Sequence, residues 1–243
     1  GGVQCEGLII GGKPFIKFEV LIDNFVALHS GRHRQRTAGW LANKAGIIGG
    51  SEVAALMGRN PYSSFNEVVA SKIGVRKFAG NTPCRWGTMF ESAIERFVEI
   101  DCGTRVVGTD ISIPAPAHSG LGDRHANSPD GYGVITLYQD ADADGRPIWR
   151  IRTTDAETQA AGRPMKRVIA LLEFKCPYSR LPKGDIPKHY QPQMWSGLAL
   201  SPIAHLGLFV DAPFRKCAFW NLGPGPGYDQ TYHRERKIPH WGL

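Results

Sequence analysis

Long apolar runs are missing from this 243-residue sequence, and no stretch approaches the roughly 18 consecutive apolar residues of a membrane span. The first ten residues, GGVQCEGLII, lack the basic start of a signal peptide. The five cysteines are an odd number without CxxC spacing, which disfavours a disulfide framework, a zinc ribbon and an iron–sulfur cluster. These absences favour a protein of a reducing intracellular compartment that has no membrane segment.

Basic residues outnumber acidic ones, 29 Lys and Arg against 22 Asp and Glu, which gives a net charge of +7. This balance favours a polyanionic partner. Nucleic acid is favoured over a membrane surface, because the sequence contains no basic amphipathic helix with a continuous apolar face. The N-terminal segment, residues 1–43, contains a basic run in which Arg34 is a candidate phosphate contact, although a solvated basic loop fits the same run. A chain of this length suits one substantial core. We expect one domain over residues 1–243, with a catalytic core at 44–222 and an extended arm at 223–243.

The clearest predicted helix is RWGTMFESAIERFVEIDCG, which forms one apolar stripe from Phe90, Ile94, Phe97 and Val98. Glu91 falls at the margin of that stripe and not on the opposite side. It is therefore a candidate for a functional site, although an ordinary surface glutamate fits the same pattern. Ahead of this helix, GGSEVAALMG predicts a short helix with Ser51 as its N-cap.

Two opposite charges close an apolar segment in LLEFKCP, which predicts a strand stopped by Pro177. In a strand, Glu173 and Lys175 project to one face and Phe174 to the other. The preceding VIALL is apolar at consecutive positions, as expected of a strand that is covered on both faces. Both charges therefore lie at the mouth of a buried strand, where partial desolvation shifts pKa values.

Asp130 comes just before another predicted strand, YGVITLYQ. If this strand pairs antiparallel with VIALLEFK, the start of the first lies beside the end of the second, and Asp130 meets Glu173 and Lys175. Two adjacent carboxylates repel each other unless a divalent cation neutralises them, and oxygen ligands suit Mg²⁺ or Mn²⁺. Such a set matches metal-assisted phosphodiester hydrolysis, in which the lysine orients water or stabilises charge on the phosphate.

The chain contains, in this order, the motifs GIIGGSEVAALMGRNPYSS, RWGTMFESAIERF, NSPDGY, LLEFKCP and PKHYQPQMWSGLAL. Together they resemble the YqaJ-like viral recombinase family, which includes the lambda-type exonucleases and has the PD-(D/E)XK nuclease fold. The resemblance covers about residues 44–200, and five ordered motifs are far more specific than any one of them. It implies an α+β fold in which helices flank a central mixed β-sheet, and it implies a nuclease.

The resemblance also implies roles for individual residues. Asp130 and Glu173 correspond to metal ligands, and the backbone carbonyl of Phe174 to a further oxygen ligand. Lys175 corresponds to the catalytic lysine. Glu91 corresponds to a helical acid that holds metal directly or through water.

A 5′-phosphate pocket is implied as well. The family places a basic residue seven positions before a helix-capping serine, and Lys44 and Ser51 have that spacing here. Ser51 and Gly50 would also present backbone N–H groups at a helix N-terminus. Ser128 would supply the second hydroxyl. Lambda-type enzymes have Arg where this chain has Lys44, and lysine lacks the bidentate geometry of arginine. Gln193, in the family's Y..Q helix motif, would contact the attacking water or the substrate, and the other glutamine of QPQ is the alternative.

A second departure from the family is the polar stretch at about residues 140–167, where compact members have a tight hairpin. We expect an inserted hairpin excursion of unknown purpose there, and one place for it is over the DNA channel.

The resulting expectation is a Mg²⁺-dependent 5′-to-3′ exonuclease that leaves 3′ overhangs on double-stranded DNA for recombination or viral DNA processing. Mn²⁺ would substitute, and one or two ions would bind. A structure-specific or nicking endonuclease of the same fold is the first alternative, and a catalytically decayed DNA-binding module is the second. The resemblance implies double-stranded DNA ends as substrate, a single-strand annealing protein as partner and a trimeric ring as oligomer. For a viral protein, the expected location is the host-cell cytoplasm or nucleus.

Overall fold

A computed structural model describes residues 17–30, 37–76, 80–121 and 124–214. Its helices in chain order are α1 (Phe18–His29), α2 (Ala38–Ala45), α3 (Gly50–Leu56), α4 (Phe65–Lys72), α5 (Thr82–Cys102), α6 (Glu157–Ala160) and α7 (Gln191–Leu200). Its strands are β1 (Ile48–Gly49), β2 (Ile113–Pro114), β3 (His125–Asn127), β4 (Gly131–Ala141), β5 (Pro147–Ile151), β6 (Met165–Lys175) and β7 (Leu206–Asp211). Arg34 and the expected C-terminal arm lie outside the described residues. None of the helices within the described ranges combines the length and the apolar character that crossing a membrane requires.

The main sheet has four strands in the order β5-β4-β6-β7. Strand β4 pairs antiparallel with both β5 and β6, whereas β6 and β7 run parallel. A second sheet has the order β1-β3-β2, with β1 parallel and β2 antiparallel to β3. The predicted α+β class, with a mixed sheet flanked by helices, is therefore confirmed.

Strand β6 is covered on both faces, which explains its unbroken apolar run. Ile169 and Leu171 pack in a cluster with residues of α1 and α7, whereas Ala170, Leu172 and Phe174 pack in a cluster with Ile94 and Val98 of α5. Because successive side chains of a strand alternate between faces, Glu173 shares the face of Leu171. Helix α5 therefore covers the face of β6 that is opposite to Glu173.

The start of α3 differs from the expectation. Gly49 is the N-cap, in an extended conformation, and Ser51 lies inside the first turn and is exposed. The carboxylate of Glu52 accepts the backbone N–H of Gly49 at 2.8 Å. Glu52, three residues after the cap, thus accepts the backbone N–H at the helix start. The prediction of Ser51 as N-cap is wrong.

The stretch that follows β4 contains β5 and α6 and begins at the end of β4 farthest from Asp130. With about 3.4 Å per residue, the length of β4 separates the start of this stretch from Asp130 by roughly 35 Å. The arginines of this stretch pair with acids that belong to it or adjoin it: Arg146 with Asp144, Arg150 and Arg163 with Asp140, and Arg152 with Glu157. The excursion thus widens the sheet at β5. Its expected place over the DNA channel stays a prediction.

Candidate active site

The register of β4 and β6 brings the two carboxylates of the site together. Gly131 lies opposite Leu172, which places Asp130 beside Glu173 at the same end of the pair. The backbone N–H of Asp130 donates to the carbonyl of Leu172 at 3.1 Å, and that of Phe174 donates to Oδ2 of Asp130 at 2.6 Å. The antiparallel pairing expected from the sequence is therefore present, and Asp130 is fixed by the backbone of the strand that carries Glu173.

Glu173 is buried, with 2% of its surface exposed. Its Oε1 accepts hydrogen bonds from Nζ of Lys175 and Nε2 of Gln193. Its Oε2 is also buried and has no hydrogen-bond partner among the described residues. Because a buried carboxylate oxygen is costly without a partner, this atom is a candidate for ligand binding.

Lys175 is held from two directions. Its ammonium donates to Glu173 and lies 5.3 Å from the ring centroid of Tyr190, within the range of a cation–π contact. The sequence indicated Tyr190 only as the first position of a helix motif. Next to it, Arg180 bonds both carboxylate oxygens of Asp211 at 2.5 and 2.7 Å, and Asp211 lies opposite Lys175 on β7. These contacts tie the connection between β6 and α7 to the strand end.

The charges of the site perturb one another. Burial, the carboxylate of Glu173 and, more weakly, that of Glu91 raise the pKa of Asp130 to about 7, against the opposing effects of Lys175 and the Phe174 N–H. Burial alone would lower the pKa of Lys175, but the carboxylates of Glu173 and Asp130 outweigh it and raise that pKa. The pair of acids is thus held at close range, and among the described residues Lys175 is the cation that offsets their charge.

Glu91 does not join these two acids in a tight cluster. Over the part of the chain that the structure describes, no three His, Cys, Asp or Glu side chains are close enough to hold one metal ion. Helix α5, which carries Glu91, packs on the face of β6 opposite to Glu173. Glu91 is half-buried and near enough to affect the pKa of Asp130.

The candidate phosphate residues line one pocket of about 80 Å³, which is bounded by Lys44, Ile47, Gly49, Gly50, Ser51, Ala126, Asn127, Ser128 and Gln193. Gln193 is shared between this pocket and Glu173, so the two features adjoin. Burial lowers the pKa of Lys44, as does the charge of Lys72, while Glu52 opposes them. The pocket is therefore small and partly polar, and Lys44 is the basic side chain that lines it among the described residues.

Asn127 is a pocket residue that the sequence did not indicate. It is 1% exposed, and neither polar atom of its side chain has a hydrogen-bond partner within the described ranges. A Cβ atom on Gly50 would lie 1.8 Å from its Oδ1, and one on Gly197 would lie 2.9 Å from its Nδ2. The asparagine thus wedges between α3 and α7, and both helices can approach it only at a glycine.

The donor set fits a hard divalent cation. Asp130 and Glu173 supply carboxylate oxygens, one of them the unpartnered Oε2, and Mg²⁺ and Mn²⁺ prefer oxygen ligands. The backbone carbonyl of Phe174 leaves the strand on the same edge as its N–H, which bonds Asp130. A cation between the acids would also offset the repulsion that raises the pKa of Asp130.

Comparison with known proteins identifies the class. Residues 39–203, more than half of the chain, match the YqaJ-like viral recombinase domain. The chain belongs to this family, and the expectation from the five motifs is confirmed.

Particular relatives are viral. Protein D345L of African swine fever virus, isolate Tick/South Africa/Pretoriuskop Pr4/1996, is 36% identical over 225 residues. The same protein of strain Badajoz 1971 Vero-adapted is 34% identical over 225 residues. In both cases the match covers 91% of this chain and 63% of the viral protein, so this chain spans less than two thirds of these relatives. Among solved structures, the crystal structure of LHK-Exo in complex with dAMP is similar with a TM-score of 0.45 and 20% identity, over 74% of this chain and 76% of that chain.

Proposed function

We propose that this protein is a divalent-cation-dependent deoxyribonuclease with a PD-(D/E)XK site. The observation that carries the proposal is the meeting of Asp130, Glu173 and Lys175 where β4 begins and β6 ends. An acid pair beside one amine can hold a divalent cation and stabilise developing negative charge, which suits metal-assisted phosphodiester hydrolysis. Membership in the YqaJ-like viral recombinase family supports the same class of reaction.

Mg²⁺, or Mn²⁺ in its place, would be held by Asp130, Glu173 and the carbonyl of Phe174. Because no three acids of the described residues form a metal-binding cluster, we expect Glu91 to contribute to an ion through water. When bound, the cation polarises the scissile phosphate and lowers the pKa of a water molecule. One or two ions fit this set, depending on whether Glu91 takes part.

The remaining residues bind and orient the substrate. The ammonium of Lys175, fixed between Glu173 and the ring of Tyr190, donates to an oxygen of the scissile phosphate and stabilises the charge that develops there. Gln193 is 9% exposed and donates to Glu173. It therefore holds the carboxylate in place, and its position on the pocket wall also lets it contact the attacking water or the DNA backbone.

The adjoining pocket supports recognition of a DNA end. Lys44, Ser51 and Ser128 line it together, and a lysine with two hydroxyls is suited to a terminal 5′-phosphate. Because Gln193 lies between this pocket and the carboxylates, a bound end would be close to the site of hydrolysis. The enzyme would then digest duplex DNA from 5′ ends and leave 3′ single strands.

The family resemblance extends the proposal to partners. A single-strand annealing protein would take up the exposed 3′ strand for recombination or viral DNA processing, and three copies of the chain would form a ring around the duplex. The pocket favours an exonuclease over a nicking endonuclease of the same fold, because an endonuclease has no use for a site that binds a terminal phosphate.

A single assay tests the proposal. Wild-type protein should digest linear duplex in the presence of Mg²⁺, leave closed circles intact and lose activity with EDTA. Lys175→Ala should reduce the rate by at least about a hundredfold, as expected for a group that acts in the transition state. Lys166→Ala is the matched control on the same strand, since Lys166 lies 4.0 Å from the ring centroid of Trp149 at the far end of the sheet. Digestion of circles at the linear rate would defeat the exonuclease, and no Mg²⁺-dependent cleavage of either substrate would defeat the nuclease.

A further inference from the structure

Lys72, the last residue of α4, directs its ammonium into the protein. Its Nζ lies 2.9 Å from the carbonyl oxygen of Lys44, 2.6 Å from that of Ile47 and 2.7 Å from Oε2 of Glu52. Its side chain is only 15% exposed. An ammonium has three N–H donors and no acceptor. These three oxygens therefore match the full donor capacity of Lys72.

All three acceptors belong to the segment that forms the candidate phosphate pocket. Lys44 and Ile47 line the pocket themselves. The Glu52 oxygen that Lys72 contacts also accepts the backbone N–H of Gly49, another lining residue, at 2.8 Å. One ammonium thus joins the end of α2 to the start of α3, and the pocket lies between those two ends.

The ion pair of Lys72 and Glu52 is shielded from water, with side chains 15% and 17% exposed. Pairs of this kind add little net stability compared with apolar residues, but breaking one leaves a costly uncompensated charge. Their best-supported use is to specify one conformation. Here the conformation that the pair specifies is that of the pocket-forming segment.

A lysine at position 44 makes that conformation important for binding. An arginine fork fixes a phosphate by its own bidentate geometry, whereas an ammonium is a point charge on a flexible stem. The placement of a phosphate by Lys44 therefore depends on how firmly its backbone is held relative to Ser51. The backbone carbonyl of Lys44 is one of the atoms that Lys72 holds.

We propose that Lys72 is a positioning residue for end recognition, which holds the segment from Lys44 to Ser51 so that both side chains converge on one terminal phosphate. The proposal rests on the function proposed above and adds to it the residue that sets the affinity for a phosphorylated end. Lys72 does not itself contact the phosphate, because its three donors are engaged. Its removal should weaken binding of the end and leave the hydrolytic step intact.

The test compares Lys72→Met with wild type in the full chain, on duplexes that carry either a 5′-phosphate or a 5′-hydroxyl. Wild type should prefer the phosphorylated end. In Lys72→Met, KM for the phosphorylated duplex should rise about 10- to 100-fold, the range expected for loss of well-placed charge-assisted hydrogen bonds, while kcat stays within about twofold. Lys72→Arg, which keeps a charged donor, should retain part of the preference. Arg76→Met is the matched control, because Arg76 pairs with Glu67 on the exposed side of α4.

A binding measurement separates this proposal from the proposed function. Fluorescence anisotropy with the same two duplexes in EDTA reports end preference without cleavage. A phosphate preference that wild type shows and Lys72→Met loses supports the proposal even if no hydrolysis is found. Equal binding of both ends by wild type, an unchanged preference in Lys72→Met or a fall in kcat alone would overturn it. If Lys72→Met fails to fold, Lys72→Arg and Glu52→Gln carry the same comparison, with a smaller expected loss.

Discussion

Replacing Gly50 by alanine would place a methyl group 1.8 Å from Oδ1 and 2.9 Å from Cγ of Asn127. No pair of non-bonded heavy atoms tolerates the shorter distance, so either α3 or the asparagine must move. The asparagine is 1% exposed and is blocked on its other side by Gly197, where a Cβ atom would lie only 2.9 Å from Nδ2. Movement of either group therefore disturbs the contact between α3 and α7.

The magnitude follows from two opposing effects. Alanine is favoured over glycine in a helix by up to about 1 kcal/mol, whereas overpacking a filled site typically costs about 1–3 kcal/mol and occasionally more. The clash at Gly50 is severe, so we expect a cost of about 2–3 kcal/mol. Subtraction of the alanine gain of about 1 kcal/mol leaves a net loss of about 1–2 kcal/mol. For a chain of this size, that loss lowers Tm by roughly 2–8 °C.

Urea unfolding followed by tryptophan fluorescence measures the change, with Gly87→Ala as the matched control. Gly87 is also helical, in α5, and a Cβ there meets no atom within 4 Å. That variant should be stabilised by about 0.5–1 kcal/mol. Adding Asn127→Ala to Gly50→Ala should recover most of the loss, because it removes the atoms that clash. Equal stability of Gly50→Ala and Gly87→Ala would refute the wedge between the two helices.

Asp130→Asn should raise Tm of the metal-free protein, because it removes the repulsion with Glu173 while an amide oxygen still accepts the Phe174 N–H. The same change should abolish the Tm increase that Mg²⁺ gives wild type. A lower Tm of the metal-free variant would contradict this. Burial raises the pKa of Cys102 to about 11, so its thiolate fraction is low at pH 9. Iodoacetamide should then label exposed Cys84 well before Cys102, as mass spectrometry of the peptides would show, and equal labelling would contradict the burial.

The sequence was most informative where local alternation decides the structure. An unbroken apolar run predicted that β6 is covered on both faces, and the same alternation placed Glu173 and Lys175 together, away from Phe174. Because Asp130 immediately precedes one strand and Glu173 nearly ends the other, antiparallel pairing was enough to predict that they meet. These inferences needed only the two-residue period of a strand.

Features that depend on tertiary packing were not predictable in this way. A lysine at the end of α4 reads as a solvated charge, and only the fold brings the carbonyls of Lys44 and Ile47 to it. The packing role of Asn127 depends on Gly50 and Gly197, which belong to helices that are far apart in the sequence and meet at this side chain in the fold. The N-cap of α3 was predicted at the wrong residue, because Gly49 has no side chain that identifies a cap. The sequence signal that could have located it is Glu52, three residues later.

Two arrangements of charge therefore lie side by side in this protein. At Glu173 one carboxylate oxygen is engaged and the other is buried without a partner among the described residues, beside a second acid whose pKa is raised. At Lys72 every donor of the ammonium has an oxygen within hydrogen-bond distance. An incompletely satisfied buried charge destabilises the fold but leaves room for a ligand, whereas a fully satisfied one fixes the backbone around it. Under the proposed function, the first arrangement suits a site that binds a metal ion and a phosphate, and the second suits a wall that holds a DNA end beside it.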